Sequence, residues 1–199
     1  MPGMPPPAAD ERQSLLNFLT YQQNAFVAVA FGLTDEQARS TPSVSALSIG
    51  GLLKHATGVQ KSWVSRVAAA PDFPPRDERP MAEILAEHAN EHVMRDDEIL
   101  ADVLAALRAQ NAVTLQAFTD ADLDNVIPVP REVPWFPADV DHWSVRWVAM
   151  HIVEELSRHA GHADIIRESI DRATMYELLA AAEEWPETEY IKRWRPAAQ

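Results

Sequence analysis

The sequence contains no cysteine, and this absence narrows the chemistry that its own side chains provide. Disulfide bonds, thiolate zinc sites and a cysteine nucleophile are all excluded. A metal bound by this chain must therefore take nitrogen and oxygen ligands. Any thiol that takes part in a reaction must come from solution.

Positive charge is also scarce, since 17 Lys and Arg residues stand against 30 Asp and Glu residues and the formal net charge is −13. Nucleic-acid affinity comes mainly from basic residues that neutralise phosphates, so we expect no nucleic-acid partner. No apolar run reaches about 18 residues, and we expect no membrane span and no membrane partner. The first residues lack the basic and apolar regions of a signal peptide, so a cytoplasmic location is expected.

The composition is that of a globular protein, with 47% hydrophobic and 24% charged residues in a chain of 199. This length fits a single domain. The first residues are rich in proline and lack apolar periodicity. We therefore predict a disordered leader over residues 1–10 and one helical domain over residues 11–199.

Four long segments place apolar residues at the spacing of an amphipathic helix. They are residues 11–33, 49–70, 97–118 and 144–171. Ser48 is expected to cap the second segment, and a proline-rich loop over residues 120–141 precedes the fourth. Residues 81–92 are expected to form a short helix or an irregular excursion, and a short helix over residues 175–184 leads into an extended tail. The pattern predicts an all-α four-helix bundle of the up-down type with long loops.

The last long segment carries a stripe of titratable side chains, because residues three or four apart lie on one side of a helix. The stripe consists of His151, Glu155, His159 and His162. Val148 and Ile166 share its face, which is therefore expected to point into the core. The opposite face, expected to point to solvent, carries Arg146, Ser157, Asp164, Arg167 and Glu168. Since an unpaired buried carboxylate is strongly unfavourable, the stripe predicts a partner of positive charge.

A divalent metal ion is the partner that this pattern favours. Glu155 and His159 supply two ligands at a spacing of four, and His55, beside Leu52 and Val59 on the second segment, is the best candidate for a third. Three protein ligands with an open position are typical of a catalytic site. Zinc is the first choice, while nickel, manganese and iron suit the same ligands. A hydrogen-bonded polar core is the alternative, and His151 is interpreted as a structural residue beside the site.

Two further motifs are weaker. His88, Glu91 and His92 match the inverted zinc-peptidase pattern H-x-x-E-H, but their polar surroundings favour a solvated, charged segment. Gly50 and Gly51 follow no strand, so they do not indicate a phosphate-binding loop. Aromatic residues flank the long loop and either anchor the core or line a substrate opening: Trp135, Phe136, Trp143 and Trp147.

Several strings together resemble the DinB-like superfamily, and in particular its actinobacterial branch that contains mycothiol-dependent S-transferases. The strings are SIGGLLKHA at residues 48–56 with Trp63 following, the segment 143–168 and the tail YELLAAAEEWPET at residues 176–188. RHAGHAD, at residues 158–164, is the most specific part. The resemblance covers roughly residues 12–196.

This resemblance implies a four-helix bundle with one metal ion held by three side chains. The positions match His55 on the second helix and the pair Glu155 and His159 on the last helix, as in the related mycothiol-dependent maleylpyruvate isomerases. His162 lies where many relatives carry glutamine, and it either joins the metal ligands or acts as an acid/base catalyst; we assign it the catalytic role. Better-understood relatives activate a low-molecular-weight thiol for attack on an electrophile, and relatives often form homodimers.

Three functions follow as hypotheses. The first is a metal-dependent transferase that joins a mycothiol-like thiol to an electrophilic small molecule. The second is a metal-dependent isomerase or hydrolase on the same scaffold. The third is a non-catalytic, metal-binding stress-response protein.

Elemental analysis of untagged protein by mass spectrometry tests the predicted ligands. We expect about one divalent metal ion per chain, because three protein ligands hold one cation. The His55→Ala and Glu155→Ala variants should each lose it. Wild-type protein that stays free of metal even after reconstitution would indicate a hydrogen-bonded polar core instead.

Overall fold

The computed structural model describes residues 3–131, 136–137 and 139–196. Within these ranges the chain forms helices and two short strands. In chain order they are α1 (Glu11–Val29), α2 (Asp35–Arg39), α3 (Ile49–Ala69), α4 (Met81–Asn90), α5 (Leu100–Asp120), β1 (Val126–Pro128), β2 (His142–Ser144), α6 (Val145–Asp171) and α7 (Met175–Ala182). None of the described helices combines the length and apolarity needed to cross a membrane.

Four of these helices form the bundle, and the predicted all-α architecture is confirmed. Helices α1 and α3 each pack against α5 and α6, so α1 lies diagonally opposite α3. The core between them contains fully buried side chains from all four helices: Phe26, Leu52, Leu107 and Ile152. Each helix thus buries the apolar face that its amphipathic sequence pattern predicts.

Contacts at the helix ends give the direction of each helix. Arg12 at the start of α1 donates to the carbonyl of Phe118 at the end of α5 (2.6 Å), so these helices run antiparallel. Arg167 near the end of α6 donates to the carbonyl of Val29 (2.7 Å), so α1 and α6 run parallel. Lys54 near the start of α3 pairs with Glu98 just before α5 (2.9 Å). The bundle therefore runs up, down, down and up, an order that differs from the predicted up-down type. The parallel pair α3 and α5 requires the long connection over residues 70–99.

Capping side chains agree with the predicted helix starts and explain one element that periodicity misses. Ser48 accepts a hydrogen bond from the backbone of Gly51 (3.1 Å), so the predicted cap is confirmed. The first helix ends at Val29, before the predicted residue 33, and Thr34 then caps the five-residue helix α2. Helix α2 is too short to display an apolar repeat, so the sequence pattern does not predict a helix there.

The proline-rich loop also contains regular structure. Strands β1 and β2 pair antiparallel, with Ile127 opposite Trp143, and so close the ends of the loop predicted over residues 120–141. Trp143 is thereby buried at the start of α6. The pair matters for the site because it fixes the position of the aromatic residues that lead into α6.

Arg167 lies in the interior, and its predicted place on the solvent side of α6 is wrong. Its fully buried guanidinium pairs with Asp171 (2.9 Å) and lies 4.9 Å from the ring centroid of Trp194. The prediction fails because α6 is covered on a second side by α1 and by the C-terminal tail. Gly32, at φ +72°, permits this cover, since a Cβ there would collide with the Trp194 ring.

A buried amide network ties three of the bundle helices together. Gln23 of α1 donates to Gln60 of α3 (2.8 Å), and Gln60 donates to Asn111 of α5 (2.9 Å). All three side chains are buried. Because buried polar groups must find partners, this network fixes the lateral position of the helices as well as adding stability.

Replacing the central amide tests the network. We expect Gln60→Ala to lower the free energy of unfolding by about 2–4 kcal/mol. The change removes the donor to the Asn111 side chain, leaves Gln23 only its longer bond to the Asn111 carbonyl (3.3 Å), and opens a cavity. Gln116→Ala is the matched control: Gln116 is exposed on α5 and donates to Asp120 of the same helix. Its change should stay within about 0.5 kcal/mol. Equal losses in urea unfolding would show that the network contributes nothing specific.

Candidate metal centre

The antiparallel contact between α3 and α6 brings His55, Glu155 and His159 together. Nε2 of His55 lies 3.2 Å from Oε1 of Glu155, and Nε2 of His159 lies 3.3 Å from the same oxygen. One candidate ligand atom from each side chain lies within 4.8 Å of the others. The cluster is thus formed by one residue of α3 and an i, i+4 pair of α6.

These separations fit a metal centre as well as a hydrogen-bonded one. Ligands on a tetrahedral ion with bonds of 2.0–2.1 Å are about 3.3 Å apart, close to both measured distances. Among the described residues, Nδ1 of His55 and Nδ1 of His159 are buried and have no hydrogen-bond partner. Leaving buried nitrogens unpaired is unfavourable, so the protein groups alone do not satisfy this cluster. The Nε2 atoms and Oε1 therefore fit a divalent cation by atom type and spacing, and each Nδ1 is left for a separate hydrogen-bond partner.

Glu155 carries the negative charge of the cluster. The hydrogen-bonding histidines, His159 first and then His55, hold the pKa of its carboxyl well below the usual range, although burial acts in the opposite direction. The carboxylate side chain is 22% exposed, so the cluster is accessible from outside while partly shielded from water. An ionised carboxylate is the form that binds a cation.

Glu91 and His92 lie beside His55, a member of the cluster. They form a second candidate donor set with His55, and the ring of His92 stacks on that of His55 with centroids 4.3 Å apart. Burial lowers the pKa of His92, and the neighbouring His55 lowers it further. Its imidazole is therefore neutral near pH 7, which is the ligand form of histidine.

The prediction that residues 88–92 form a solvated segment is correct for His88 and wrong for the last two residues. The His88 side chain is 73% exposed and contacts Glu91 (3.0 Å), outside both donor sets. His92 follows α4 and is half-buried, because the connection folds back over the start of α3. The three residues therefore do not act together as an H-x-x-E-H metal site.

Gly50 and Gly51 permit this approach. A Cβ on Gly51 would collide with the backbone carbonyl of His92, and one on Gly50 would collide with the side chain of Met94. Met94 is itself buried in the core. The glycine pair thus has a packing role, and its only sequence signal was its place one turn before His55.

His162 and His151 lie on the same face of α6 but outside both donor sets. His162 is half-buried one turn beyond His159, and its catalytic role stays a prediction. His151 packs instead against aromatic rings, with its centroid 5.1 Å from Trp147 and 5.0 Å from Trp63. This placement agrees with a structural residue beside the site.

A cavity of about 770 Å³ opens beside the cluster and reaches Glu155. Its apolar wall comes mainly from Trp63 of α3, Trp143 of β2 and Trp147 of α6, together with Phe136. Trp135, the remaining aromatic residue predicted near this opening, lies outside the described residues. The aromatic residues therefore serve both predicted roles, since Trp143 is buried while Trp147 is 41% exposed.

Fold and cluster together define a DinB-like helical bundle with a candidate metal centre. The model of the family described as mycothiol-S-transferase matches residues 14–172. The chain belongs to the mycothiol S-transferase family.

The comparison with solved structures supports the fold alone. A crystal structure described as a conserved protein of locus from Enterococcus faecalis is similar with a TM-score of 0.54 at 16% identity. The match covers 82% of this chain and 98% of that one. None of the curated proteins compared with the sequence matches it.

Metal-free protein provides a test of the Glu155 interactions. A carboxyl with a depressed folded-state pKa stabilises the fold above its unfolded pKa of about 4.3, and this stability is lost as the pH falls towards the folded pKa. We therefore expect Glu155→Gln to lower the free energy of unfolding by about 1–3 kcal/mol near neutral pH, with a smaller loss below about pH 4.

Urea unfolding of chelator-treated proteins measures both values. Glu154→Gln is the matched control, because the neighbouring Glu154 side chain is 56% exposed and its change should be near zero. A loss for Glu155→Gln that is independent of pH would contradict the assignment of the charge to Glu155.

Proposed function

We propose that this protein is a metal-dependent transferase that activates a mycothiol-like thiol for attack on an electrophilic small molecule. The observation that supports this most is the His55, Glu155 and His159 cluster at the end of an open cavity, in a chain of this family. Zinc is the first cation to test, and nickel, manganese and iron are the alternatives that metal analysis distinguishes.

In the proposed reaction the cation and the protein side chains have different roles. A cation at such a site lowers the pKa of a bound thiol and so favours the nucleophilic thiolate. Glu155 supplies an ionised carboxylate that offsets part of the positive charge, while His55 and His159 supply imidazole nitrogens as ligands. The tryptophan walls place apolar surface beside Glu155, and electrostatic interactions are stronger next to a medium of low dielectric constant.

The absence of cysteine requires that the nucleophilic sulfur belongs to a cosubstrate. In the proposed reaction a bond forms between that sulfur and an electrophilic carbon. The S–H proton passes to solvent or a nearby base, and the electron pair of the broken bond leaves with the departing group. His162, to which we assign the catalytic role, is the nearby base proposed on this face of α6.

Conjugation of mycothiol to a chlorodinitrobenzene, followed by the absorbance of the thioether, tests the proposal. We expect His55→Ala and His159→Ala to reduce the rate by at least about a hundredfold, because each loses one of three metal ligands. Arg158→Ala is the matched control, since Arg158 is adjacent to His159 but 79% exposed, and its rate should be unchanged. Circular dichroism confirms that each variant is folded.

The other hypotheses give different results in the same assay. Turnover of a substrate without net consumption of thiol would indicate an isomerase or hydrolase. Normal conjugation in both histidine variants would overturn the proposed site. Bound metal with no turnover of any thiol and electrophile pair would leave a non-catalytic metal-binding protein.

A further inference from the structure

Two cavities lie near the metal centre, one lined mainly by aromatic side chains and the other mainly by charged ones. The aromatic cavity reaches the centre at Glu155, and a second groove of about 640 Å³ reaches the neighbouring donor set at Glu91. A reaction that joins two substrates at one centre needs two approaches to it. The difference between the two cavities therefore indicates which substrate binds in which cavity.

The aromatic cavity is built by a ladder along one face of the chain. Trp143, Trp147, His151 and Glu155 follow one another at intervals of four residues. The rings of Trp143 and Trp147 are nearly parallel, with centroids 5.2 Å apart. The ring centroid of His151 lies 5.1 Å from that of Trp147. Flat apolar walls of this kind bind flat apolar molecules. The ladder leads from the cavity opening to the metal cluster.

Charged side chains from three parts of the chain project into the second groove, beside apolar surface from α3 and α5. Lys54 and Lys61 come from α3, Glu91 follows α4, and Asp102 comes from the first turn of α5. Lysine donates hydrogen bonds and carboxylates accept them, so neighbouring hydroxyl groups of a sugar-like molecule find both kinds of partner. Nothing in this lining resembles the stacked rings of the aromatic cavity.

We propose that the two substrates bind in different cavities beside the centre, with a flat apolar electrophile in the aromatic cavity and a hydroxyl-rich thiol in the second groove. This inference rests on the proposed transferase function. It assigns specificity for the electrophile to Trp63, Trp143 and Trp147, and specificity for the thiol to Lys61 and Asp102. The sulfur and the electrophilic carbon then meet at the cluster between Glu91 and Glu155.

Steady-state kinetics with mycothiol and chlorodinitrobenzene separate the two sides. We expect Trp147→Ala to raise the KM for the electrophile by at least about tenfold and to leave the KM for the thiol within about twofold. Lys61→Ala combined with Asp102→Ala should do the reverse. N-acetylcysteine, which lacks sugar hydroxyls, should be insensitive to the Lys61 and Asp102 changes. Equal effects of both sets on both KM values would overturn the inference.

A binding measurement tests the inference apart from turnover. Dinitrobenzene, which lacks the leaving group, should bind the wild-type protein in calorimetry and bind Trp147→Ala at least about tenfold more weakly, with Lys61→Ala as the control. Unchanged binding to Trp147→Ala would overturn the assignment of the aromatic cavity. Absence of conjugation with intact dinitrobenzene binding would instead contradict the proposed function and leave this assignment standing.

Discussion

The pairing of one carboxylate with two histidines across α3 and α6 is the constraint on which the site depends. Glu155 lies on the inward side of α6, where an isolated charge would be strongly unfavourable. His159 lies one turn further along the same helix, and His55 comes from the antiparallel neighbour. This pairing is possible only if α3 and α6 are adjacent and in this register. The site therefore requires the same arrangement of α3 and α6 that the packing of the bundle produces.

The order of helix directions has a second effect on the site. Since α3 and α5 run parallel, the chain must return along the whole bundle between them, and residues 70–99 cover this distance. The returning segment crosses the start of α3, where Gly50 and Gly51 allow its backbone to come close. His92 reaches His55 for this reason. The long connection that the parallel helices α3 and α5 require therefore places an additional histidine beside the predicted cluster.

Local periodicity was sufficient to predict much of this arrangement, and long-range packing accounts for what it missed. The i, i+4 relation of Glu155 and His159 and the apolar neighbours of His55 are visible in the sequence. The family resemblance pointed to the same three residues. The position of His92 depends on a crossing between distant segments, which no spacing encodes. Arg167 was misplaced for a similar reason, because the tail that covers it lies 27 residues further along the chain, at Trp194.

The four-residue ladder along α6 limits how the site can change in evolution. One extra or missing residue between Trp147 and Glu155 would rotate the aromatic wall by about 100° away from the metal ligands. Length changes in this helix are therefore incompatible with the arrangement, and only substitutions preserve it. The described residues between β1 and β2 (129–131, 136–137 and 139–141) lie outside any helix and lack this periodic constraint. Insertions and deletions among them would remodel the cavity opening while the ligands stay in place.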